Sequence, residues 1–532
     1  MTGLGGTVAG YPLLSDASAL IAAGKSDEAA DRVMAHLRQY PGEPRGLALL
    51  GQIAYEMGAL QQAEHFLRHA ITRGTRDIEV RRQLAMTVNL QNRLEEARLM
   101  FAQLIIESDE PSLHVIHATI LDKLGRSEDA IAIFERLSRE YPENVRYRIH
   151  YGYALRAAGR VDEAIAAFRA VTVQDFEYGE GWLALADIKR KVFDDQDVAE
   201  IKRAIDFAID VRNTAPLHFA MARALHDRGQ FAEAFHHYDE GNRQRAESIN
   251  YDPTELTAEI DDIQQGFDSA YFAATDDTPV GEGVPIFIVS LPRSGSTLLE
   301  QMLGSHMSIE PVGELPYVPA ILRSTIEMAT RRGAITVPQL VASLTSEQAA
   351  SLGREYFRQA DVHRLTDRPY FVDKLPHNWG NIPFLRKILP QARFLDIRRN
   401  PMDCCFSNFT QSFSNAHASS FALDHIGRTY TDYVRLMRHL DRVAPGLVHH
   451  IHYETLIDDP EPAMRAALDY LGLDWDPAIL EFHKLARVVR TPSSEQVRRP
   501  LNRDGVGTWQ PYDQWLGPLR GALGDLTQSY FN

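Results

Sequence analysis

Apolar residues recur at helical spacing through the first half of the chain, in a pattern that repeats. Each unit opens with Gly or Asn and carries Ala five positions later: Gly24 and Ala29, Gly58 and Ala63, Asn92 and Ala97, Gly125 and Ala130, Gly159 and Ala164, Gly229 and Ala234. The leading residues lie 33 or 34 positions apart, except for a last step of 70 with room for a degenerate unit near residues 180 to 210. A bulky residue follows four positions after each Ala, at Val33, Leu67, Phe101, Phe134, Phe168 and Tyr238. This period predicts stacked helix pairs that bury one continuous seam.

The second half changes to short apolar runs, each followed by a turn and a helical pattern. Ile286 to Ser290 has the composition of a buried parallel strand, and further strands are predicted from Tyr370, Ala392 and His449. Helices are predicted near 254–267, 316–332, 345–360 and 420–442, with a closing helix within 512–532. Alternation of this kind is typical of an α/β domain with a parallel sheet. The predicted domains are 13–248 and 285–532, joined by a linker over 249–284.

Length and charge narrow the functional classes. A chain of 532 residues is too long for one hydrophobic core. The net charge of −16 argues against general nucleic-acid binding and makes a local basic cluster informative. The only two cysteines, Cys404 and Cys405, are adjacent, which is unsuited to a metal site and favours packing in a reducing compartment. We find no signal-peptide pattern and no apolar run long enough for a membrane span, so we expect a cytoplasmic protein.

The turn after the first predicted strand has the features of a phosphate site. Strand, short turn and helix present backbone N–H groups and a helix N-terminus to an anion. Gly295 allows close backbone approach and Arg293 adds positive charge, while hydroxyl groups come from Ser294, Ser296 and Thr297. The Walker A lysine and the dinucleotide Gly-x-Gly-x-x-Gly pattern are both missing from this turn. The alternative is an ordinary strand-to-helix turn with a capping serine.

Pro292-Arg-Ser-Gly-Ser-Thr297 resembles the 5′-phosphosulfate loop of sulfotransferases that use 3′-phosphoadenosine 5′-phosphosulfate (PAPS). The surrounding sequence is most similar to the tyrosylprotein sulfotransferase branch, and the first half resembles tetratricopeptide repeats. The resemblance implies an all-α solenoid followed by an α/β sulfotransferase domain of P-loop-like type. It implies no requirement for a metal.

The same resemblance assigns further donor contacts. Arg399 followed eight positions later by Ser407 matches the pair that grips the 3′-phosphate of the donor. Tyr453, in a His-Tyr-Glu phrase, matches a residue near the nucleotide. A late loop, residues 493–502, resembles the segment that folds over the donor, and its polar positions are Ser493, Gln496, Arg498 and Asn502.

Catalytic roles also follow from the resemblance. Glu314 matches the carboxylate that accepts the proton of the acceptor hydroxyl, although it could instead cap a helix. Lys374 is expected to stabilise the leaving oxygen together with Ser493. His377 is the second candidate for the base, since cytosolic sulfotransferases use a His from this region. His449, His450 and His452 are not expected to bind a metal.

The chain departs from the branch at three positions: Leu315 replaces a second Glu, Gln411 an Arg, and Thr508 a Lys. We therefore expect sulfuryl transfer to a protein or peptide tyrosine, with a small phenol, lipid or sugar hydroxyl as the alternative acceptor. A non-catalytic scaffold with a nucleotide-sensing relic domain is the rival from another class, and a kinase is disfavoured by the missing Walker lysine. The repeats are expected to bind a peptide or protein partner, or to serve as a stalk or dimer scaffold.

Overall fold

The computed structural model describes residues 11–188, 190–330, 333, 335–413, 415–485 and 496–530. The chain divides into two compact units. One comprises Met1–Ile133 with Pro319–Ile335, and the other comprises Phe134–Val318 with Thr336–Asn532. The predicted domain boundaries at residues 248 and 285 stay predictions.

The repeat region consists of helices that follow one another in pairs. They are α1 Pro12–Ala22, α2 Ser26–Gln39, α3 Pro44–Glu56, α4 Leu60–Thr72, α5 Ile78–Leu90, α6 Leu94–Glu107, α7 Pro111–Lys123, α8 Ser127–Glu140, α9 Val145–Ala157, α10 Val161–Gln174, α11 Gly179–Ala186, α12 Asp195–Phe207, α13 Val211–His226 and α14 Phe231–Glu247. The short α11 and the helix after it occupy the predicted degenerate unit.

The residues of the repeat motif share a backbone conformation and a degree of burial from unit to unit. The leading residue of each unit adopts a left-handed backbone between its two helices, and Asn92 does so with φ 60° in place of Gly. The six motif alanines are all 0% exposed, as close helix approach requires. The predicted helical repeats are therefore confirmed.

The second half is built on a five-stranded parallel sheet. Its strands are β1 Val284–Val289, β2 Ile309–Gly313, β3 Tyr370–Asp373, β4 Arg393–Arg398 and β5 Val448–His452, in the order β2-β3-β1-β4-β5. The helices of this half of the chain are α15 Pro253–Gly266, α16 Ser269–Ala273, α17 Ser296–Gly304, α18 Tyr317–Thr330, α19 Val337–Ser343, α20 Ser346–Ala360, α21 Ile382–Ile388, α22 Pro401–Phe409, α23 Leu423–Val443, α24 Tyr453–Asp458, α25 Pro460–Leu471 and α26 Gly517–Leu523. The predicted α/β domain with a parallel sheet is confirmed.

One strand, β2, was not predicted from the sequence. Glu310 and Pro311 interrupt its apolar pattern, and the pairing register shifts between Pro311 and Gly313. Proline is tolerated there because β2 lies at the edge of the sheet. The predicted closing helix is also shorter than expected, since its region forms α26 and short 3-10 turns.

The sheet brings the predicted site residues to one edge. Arg293 lies four residues beyond the end of β1. The other four strands are each followed at once by a predicted site residue: Glu314, Lys374, Arg399 and Tyr453. Ligands of open α/β sheets bind at the carboxyl ends of the strands, so the topology itself points to this edge. In the part of the chain that the structure describes, no helix has the length and apolarity to span a membrane.

Candidate active site

The phosphate loop, residues 291–297, contains two residues with a left-handed backbone conformation. Arg293 has φ 68°, which is uncommon for a residue with a side chain, and Gly295 has φ 98°. A Cβ atom at Gly295 would lie 2.4 Å from a ring carbon of Tyr453. Gly295 also forms the N-cap of α17, so the first N–H groups of that helix face the loop. The loop therefore requires glycine at this position.

Side chains of helix α22 contact the phosphate loop and hold it in place. The side-chain amide of Asn408 donates a hydrogen bond of 2.8 Å to the carbonyl of Pro292. The Ser294 hydroxyl lies 3.3 Å from the buried sulfur of Cys404. Ser294 thus belongs to the support of the loop, whereas the other hydroxyl residues, Ser296 and Thr297, line the cavity in front of it.

Two arginines and a serine converge beside the loop. The Arg293 guanidinium donates from Nε to the Ser407 hydroxyl at 3.2 Å, and Arg399 donates to the Arg293 carbonyl at 2.8 Å. Burial, reinforced by the positive charge of Arg399, lowers the pKa of Arg293 to about 10. Loss of hydration disfavours the charged guanidinium, the like charge of Arg399 adds to this effect, and the carboxylate of Asp187 opposes it. The predicted 5′- and 3′-phosphate residues are thus brought together.

Arg399 is held by backbone and acidic groups. A second N–H group of its guanidinium donates to the carbonyl of Gly505, and the Asp403 carboxylate lies 3.7 Å away. The guanidinium lies 5.4 Å from the centroid of the Tyr453 ring. Its buried Nε atom has no hydrogen-bond partner among the described residues. Arg399 therefore retains a donor for an added acceptor.

Glu314 and Lys374 form an ion pair at the ends of β2 and β3. The Lys374 side chain is 1% exposed, whereas that of Glu314 is 43% exposed and faces the cavity. Behind them, the buried Asp373 carboxyl accepts hydrogen bonds from the Leu315 N–H at 3.3 Å and the Tyr356 hydroxyl at 3.0 Å. Burial raises the pKa of Asp373 to about 8. The pair presents a carboxylate to the cavity, with a cation directly behind it.

The alternative base, His377, also lines the cavity. Its Nε2 atom lies 2.8 Å from Nδ1 of His417, a residue that sequence reasoning did not identify. His377 is open to the cavity but densely surrounded elsewhere, and desolvation together with His417 lowers its pKa to about 4. Both candidate bases therefore border the same space, and geometry alone leaves them as alternatives.

The late loop is only partly described. Arg498 and Asn502 line the cavity. Ser493 and the side chain of Gln496 lie outside the described residues, so their predicted roles stay predictions. Two of the departures from the branch have structural partners: the Gln411 amide donates to Asp187 at 2.9 Å, and the Thr508 N–H and hydroxyl donate to Asp403 at 2.8 and 3.0 Å.

The cavity has a volume of about 1240 Å³ and unites nearly all predicted site residues. Among the described residues, its lining has three acidic side chains, Asp162, Glu314 and Asp504, against seven cationic ones: Arg190, Arg223, Arg293, Lys374, Arg399, Arg498 and Arg499. A cationic cavity in a chain of net charge −16 fits a polyanionic ligand.

Part of the cavity wall comes from the repeats, which sequence reasoning did not anticipate. Asp162, Arg190, Arg223, His226 and Tyr238 all line it. The sequence offered one signal, because Tyr238 places a hydroxyl group where the other seam positions are apolar. His417 gave no such signal, since it lies in an irregular segment.

Comparison with known proteins agrees with this geometry. The Sulfotransferase family profile matches residues 285–477, and a Tetratricopeptide repeat profile matches residues 117–175. An uncharacterized protein of Aquifex aeolicus is 25% identical over 94% of this chain and 68% of its own length. Protein-tyrosine sulfotransferase 1 of Danio rerio is 28% identical over 42% of this chain, and the chain spans 65% of that relative. The Homo sapiens protein of the same name is 26% identical over 53% of this chain and 75% of its own length.

The family match covers β1 to β5 and therefore includes the phosphate loop, Glu314, Lys374, Arg399 and Tyr453. The repeat match lies within the helix pairs that precede the sheet. Residues 117–175 thus match tetratricopeptide repeats, and residues 285–477 match the sulfotransferase family.

Proposed function

We propose that this protein transfers the sulfuryl group of PAPS to an acceptor hydroxyl, and that the acceptor is a tyrosine of a protein or peptide. The observation that carries the proposal is the cluster of Arg293, Arg399 and Ser407 at the carboxyl edge of the sheet, in one cavity with the Glu314–Lys374 pair. Anion-binding groups and a carboxylate base thus border a common space.

The residues fit the donor. Arg293 and Arg399 are close enough for their charges to interact, and both guanidinium groups border the cavity. Among the described residues the Nε of Arg399 has no partner, and the loop is restricted to glycine at Gly295, which supports the same use. Arg293, Ser296 and Thr297 would hold the 5′-phosphosulfate, and Arg399 with Ser407 would hold the 3′-phosphate.

When bound, the donor supplies the sulfuryl group and a phosphate leaving group. In our proposal Glu314 accepts the proton of the acceptor hydroxyl, because its carboxylate is exposed to the cavity. Lys374 stabilises the negative charge that develops on the leaving oxygen, and it is buried, which strengthens that interaction. Ser493 is proposed as a second donor at that oxygen on the resemblance alone.

A tyrosine acceptor is favoured by two considerations. Relatives named protein-tyrosine sulfotransferase match this chain at 22 to 28% identity, and the resemblance to that branch gives Glu314 the place of its base. The departure at Leu315 does not face the acceptor, since this side chain is 1% exposed and lies in the core. The change at Leu315 therefore gives no argument for a small-molecule acceptor.

The repeats are proposed to bind a protein or peptide partner. In the last repeat, the side chains of Asn242 and Arg245 already bind the carbonyls of Phe409 and Phe413. These two side chains are thus engaged within the chain. We therefore propose that a partner uses other residues of the solenoid.

Calorimetric titration with adenosine 3′,5′-bisphosphate, the desulfated donor, tests the proposal. Wild type should bind, and Arg399→Ala should lose most of the affinity because both its charge and its forked donors are removed. Tyrosine peptides and simple phenols would then be compared as acceptors with PAPS. A folded wild-type protein that fails to bind the bisphosphate would contradict the enzyme and leave a repeat scaffold with a relic domain.

A further inference from the structure

The two polar departures from the branch each replace a cation by a neutral side chain. Gln411 replaces an Arg and is bound to Asp187, and Thr508 replaces a Lys and is bound to Asp403. Each replacement therefore donates to an acidic residue of the chain. Other residues would have to supply the missing contacts to PAPS.

The last repeat borders this end of the cavity. The ring of Phe406, next to Ser407, lies 4.6 Å from the ring of Tyr512. The Tyr512 hydroxyl lies 2.7 Å from Nδ1 of His226, on the last repeat. Arg223 and Tyr238 line the same cavity as Ser407 and Thr508. Tyr512 thus connects helix α22 to a residue of the last repeat.

A hydrogen bond also connects the repeat region to the end of α22. The side chain of Asp187 accepts from the Gln411 amide at 2.9 Å, four residues after Ser407. The charge of Asp187 acts on both Arg293 and Tyr238.

The hydroxyl group of Tyr238 is otherwise unexplained. The residue is 5% exposed, and its hydroxyl makes no hydrogen bond within the described part of the chain. Five other units carry Val, Leu or Phe at this seam position. Because Tyr238 lines the cavity, this hydroxyl is available to an acceptor bound there. Arg223 lines the same cavity; it is paired with Asp227 at 2.9 Å and has further N–H groups for a second acceptor.

We propose that the last repeat completes the donor site: the Tyr238 hydroxyl donates a hydrogen bond to the 3′-phosphate that Arg399 and Ser407 hold, and Arg223 adds a second donor. The inference rests on the proposed function. It makes the solenoid a component of the catalytic site, with donor contacts that compensate for Gln411 and Thr508.

Calorimetric titrations with two nucleotides test it, namely adenosine 3′,5′-bisphosphate and adenosine 5′-phosphate, which lacks the 3′-phosphate. Tyr238→Phe removes only the hydroxyl and should fold, because Phe101, Phe134 and Phe168 occupy the same position in other units. We expect it to weaken the bisphosphate about tenfold and to leave adenosine 5′-phosphate unchanged, as for a hydrogen bond to a charged group. Arg223→Gln should act in the same way.

Tyr153→Phe is the matched control, since Tyr153 is a repeat tyrosine bonded to Glu180 and does not line the cavity. It should leave the affinity for both nucleotides unchanged. If wild type binds the bisphosphate and Tyr238→Phe binds it equally well, the inference is wrong while the proposed function stands. If Tyr238→Phe weakens both nucleotides equally, the 3′-phosphate is not its partner. If wild type binds neither nucleotide, the proposed function itself fails.

Discussion

Two clusters of charged side chains, one in the early repeats and one at the sheet edge, differ in how their charges are balanced. In the repeats, Arg68 and Arg93 alternate with Glu64 and Glu96, and the Glu64 carboxylate lies 2.7 Å from Arg68 and 2.6 Å from Arg93. At the sheet edge, by contrast, the Arg293 guanidinium donates to the Ser407 hydroxyl, and Arg399 lies 3.7 Å from Asp403. The Arg residues of the first cluster form close ion pairs, whereas Arg293 and Arg399 of the second act on each other as like charges.

On our proposal, the first cluster supports the fold and the second binds an anion. The Arg residues of the repeat cluster have acidic partners on neighbouring helices, so the cluster gains nothing from an added anion. Arg293 has a lowered pKa, through burial and Arg399, so an added anion would relieve it. The balance of charge thus distinguishes a binding site from a structural network, even though both contain partly buried arginines.

The largest effect on turnover is expected from replacing Glu314, with Glu64 of the repeat cluster as the control. Glu314→Gln should lower turnover about 100- to 10,000-fold, because it removes the proposed proton acceptor, and should leave bisphosphate affinity unchanged. Glu64→Gln should leave turnover unchanged. Steady-state sulfuryl transfer to a tyrosine peptide measures both. A turnover loss on His377→Asn, with an active Glu314→Gln, would reassign the base to His377.

The second comparison uses one arginine from each cluster, Arg293 and Arg93. Arg293→Ala should weaken the bisphosphate at least about 100-fold, because it removes a charge-assisted contact from a desolvated site. It should also raise the free energy of unfolding of the ligand-free protein by about 1 kcal/mol, because a like-charge contact with Arg399 is lost. Arg93→Ala should lower that free energy and leave binding unchanged. Calorimetry and urea unfolding of the two variants measure these opposite signs; a destabilised Arg293→Ala would mean that this cation also supports the fold.

Two buried amides extend the contrast to early and late repeats. Gln91 donates to the Leu60 carbonyl at 3.0 Å within the early repeats, whereas Asn242 donates to the Phe409 carbonyl at 2.8 Å, at the end of α22. Replacing either amide by Ala should lower the free energy of unfolding by about 1 to 3 kcal/mol, because a buried carbonyl is left unpaired. Only Asn242→Ala should also weaken the bisphosphate, by a few-fold. Equal affinities for the two variants would show that α22 does not transmit the change.

The last comparison concerns pH and the two fully buried aspartates of the sheet, Asp373 and Asp396. Burial raises the pKa of Asp373 to about 8, so the folded state binds its proton more tightly than the unfolded state does, and stability should fall as pH rises from about 4 to 8. Asp373→Asn should remove this loss, by up to about 1.4 kcal/mol per pH unit. Urea unfolding of wild type and variant at pH 5, 6.5 and 8 measures it.

Asp396 provides the control for that experiment. Burial acts to raise its pKa as well, but Arg398 and His450 outweigh burial and hold the pKa below the ordinary value. Asp396→Asn should therefore destabilise the protein at every pH in this range. A pH dependence that Asp373→Asn leaves intact would have to come from another group.

Most of the fold could be predicted from the sequence because its signals are local. The repeat period follows from turn and contact residues that recur every 33 or 34 positions, and each of those turns has the predicted left-handed backbone. Four strands were predicted from their apolar runs. The fifth, β2, was missed because Glu310 and Pro311 are acceptable only at a sheet edge, and strand order is a tertiary property.

The candidate site shows the same division. Arg293, Lys374 and Arg399 could be named in advance because they follow strands that the amino-acid pattern predicts, and strand ends of a parallel sheet meet at one edge. Glu314 and Tyr453 could be named from the resemblance to sulfotransferases. The contacts of His417 with His377 and of Gln411 with Asp187 could not be predicted, since they join residues distant in sequence, nor could the place of Arg223 in the cavity wall.

The sequence by itself determined the repeats, the α/β class and the anion-binding motif, because each depends on spacing within a few tens of residues. Only the tertiary structure decided that Arg293 and Arg399 share one space, that Glu314 pairs with Lys374, and that residues of the last repeat line the same cavity. The physical reason is the sequence separation of the residues that interact. Hydrogen-bonded turns and amphipathic periods are local, whereas the balance of charge in a cavity depends on groups that the chain brings together from more than 100 positions apart.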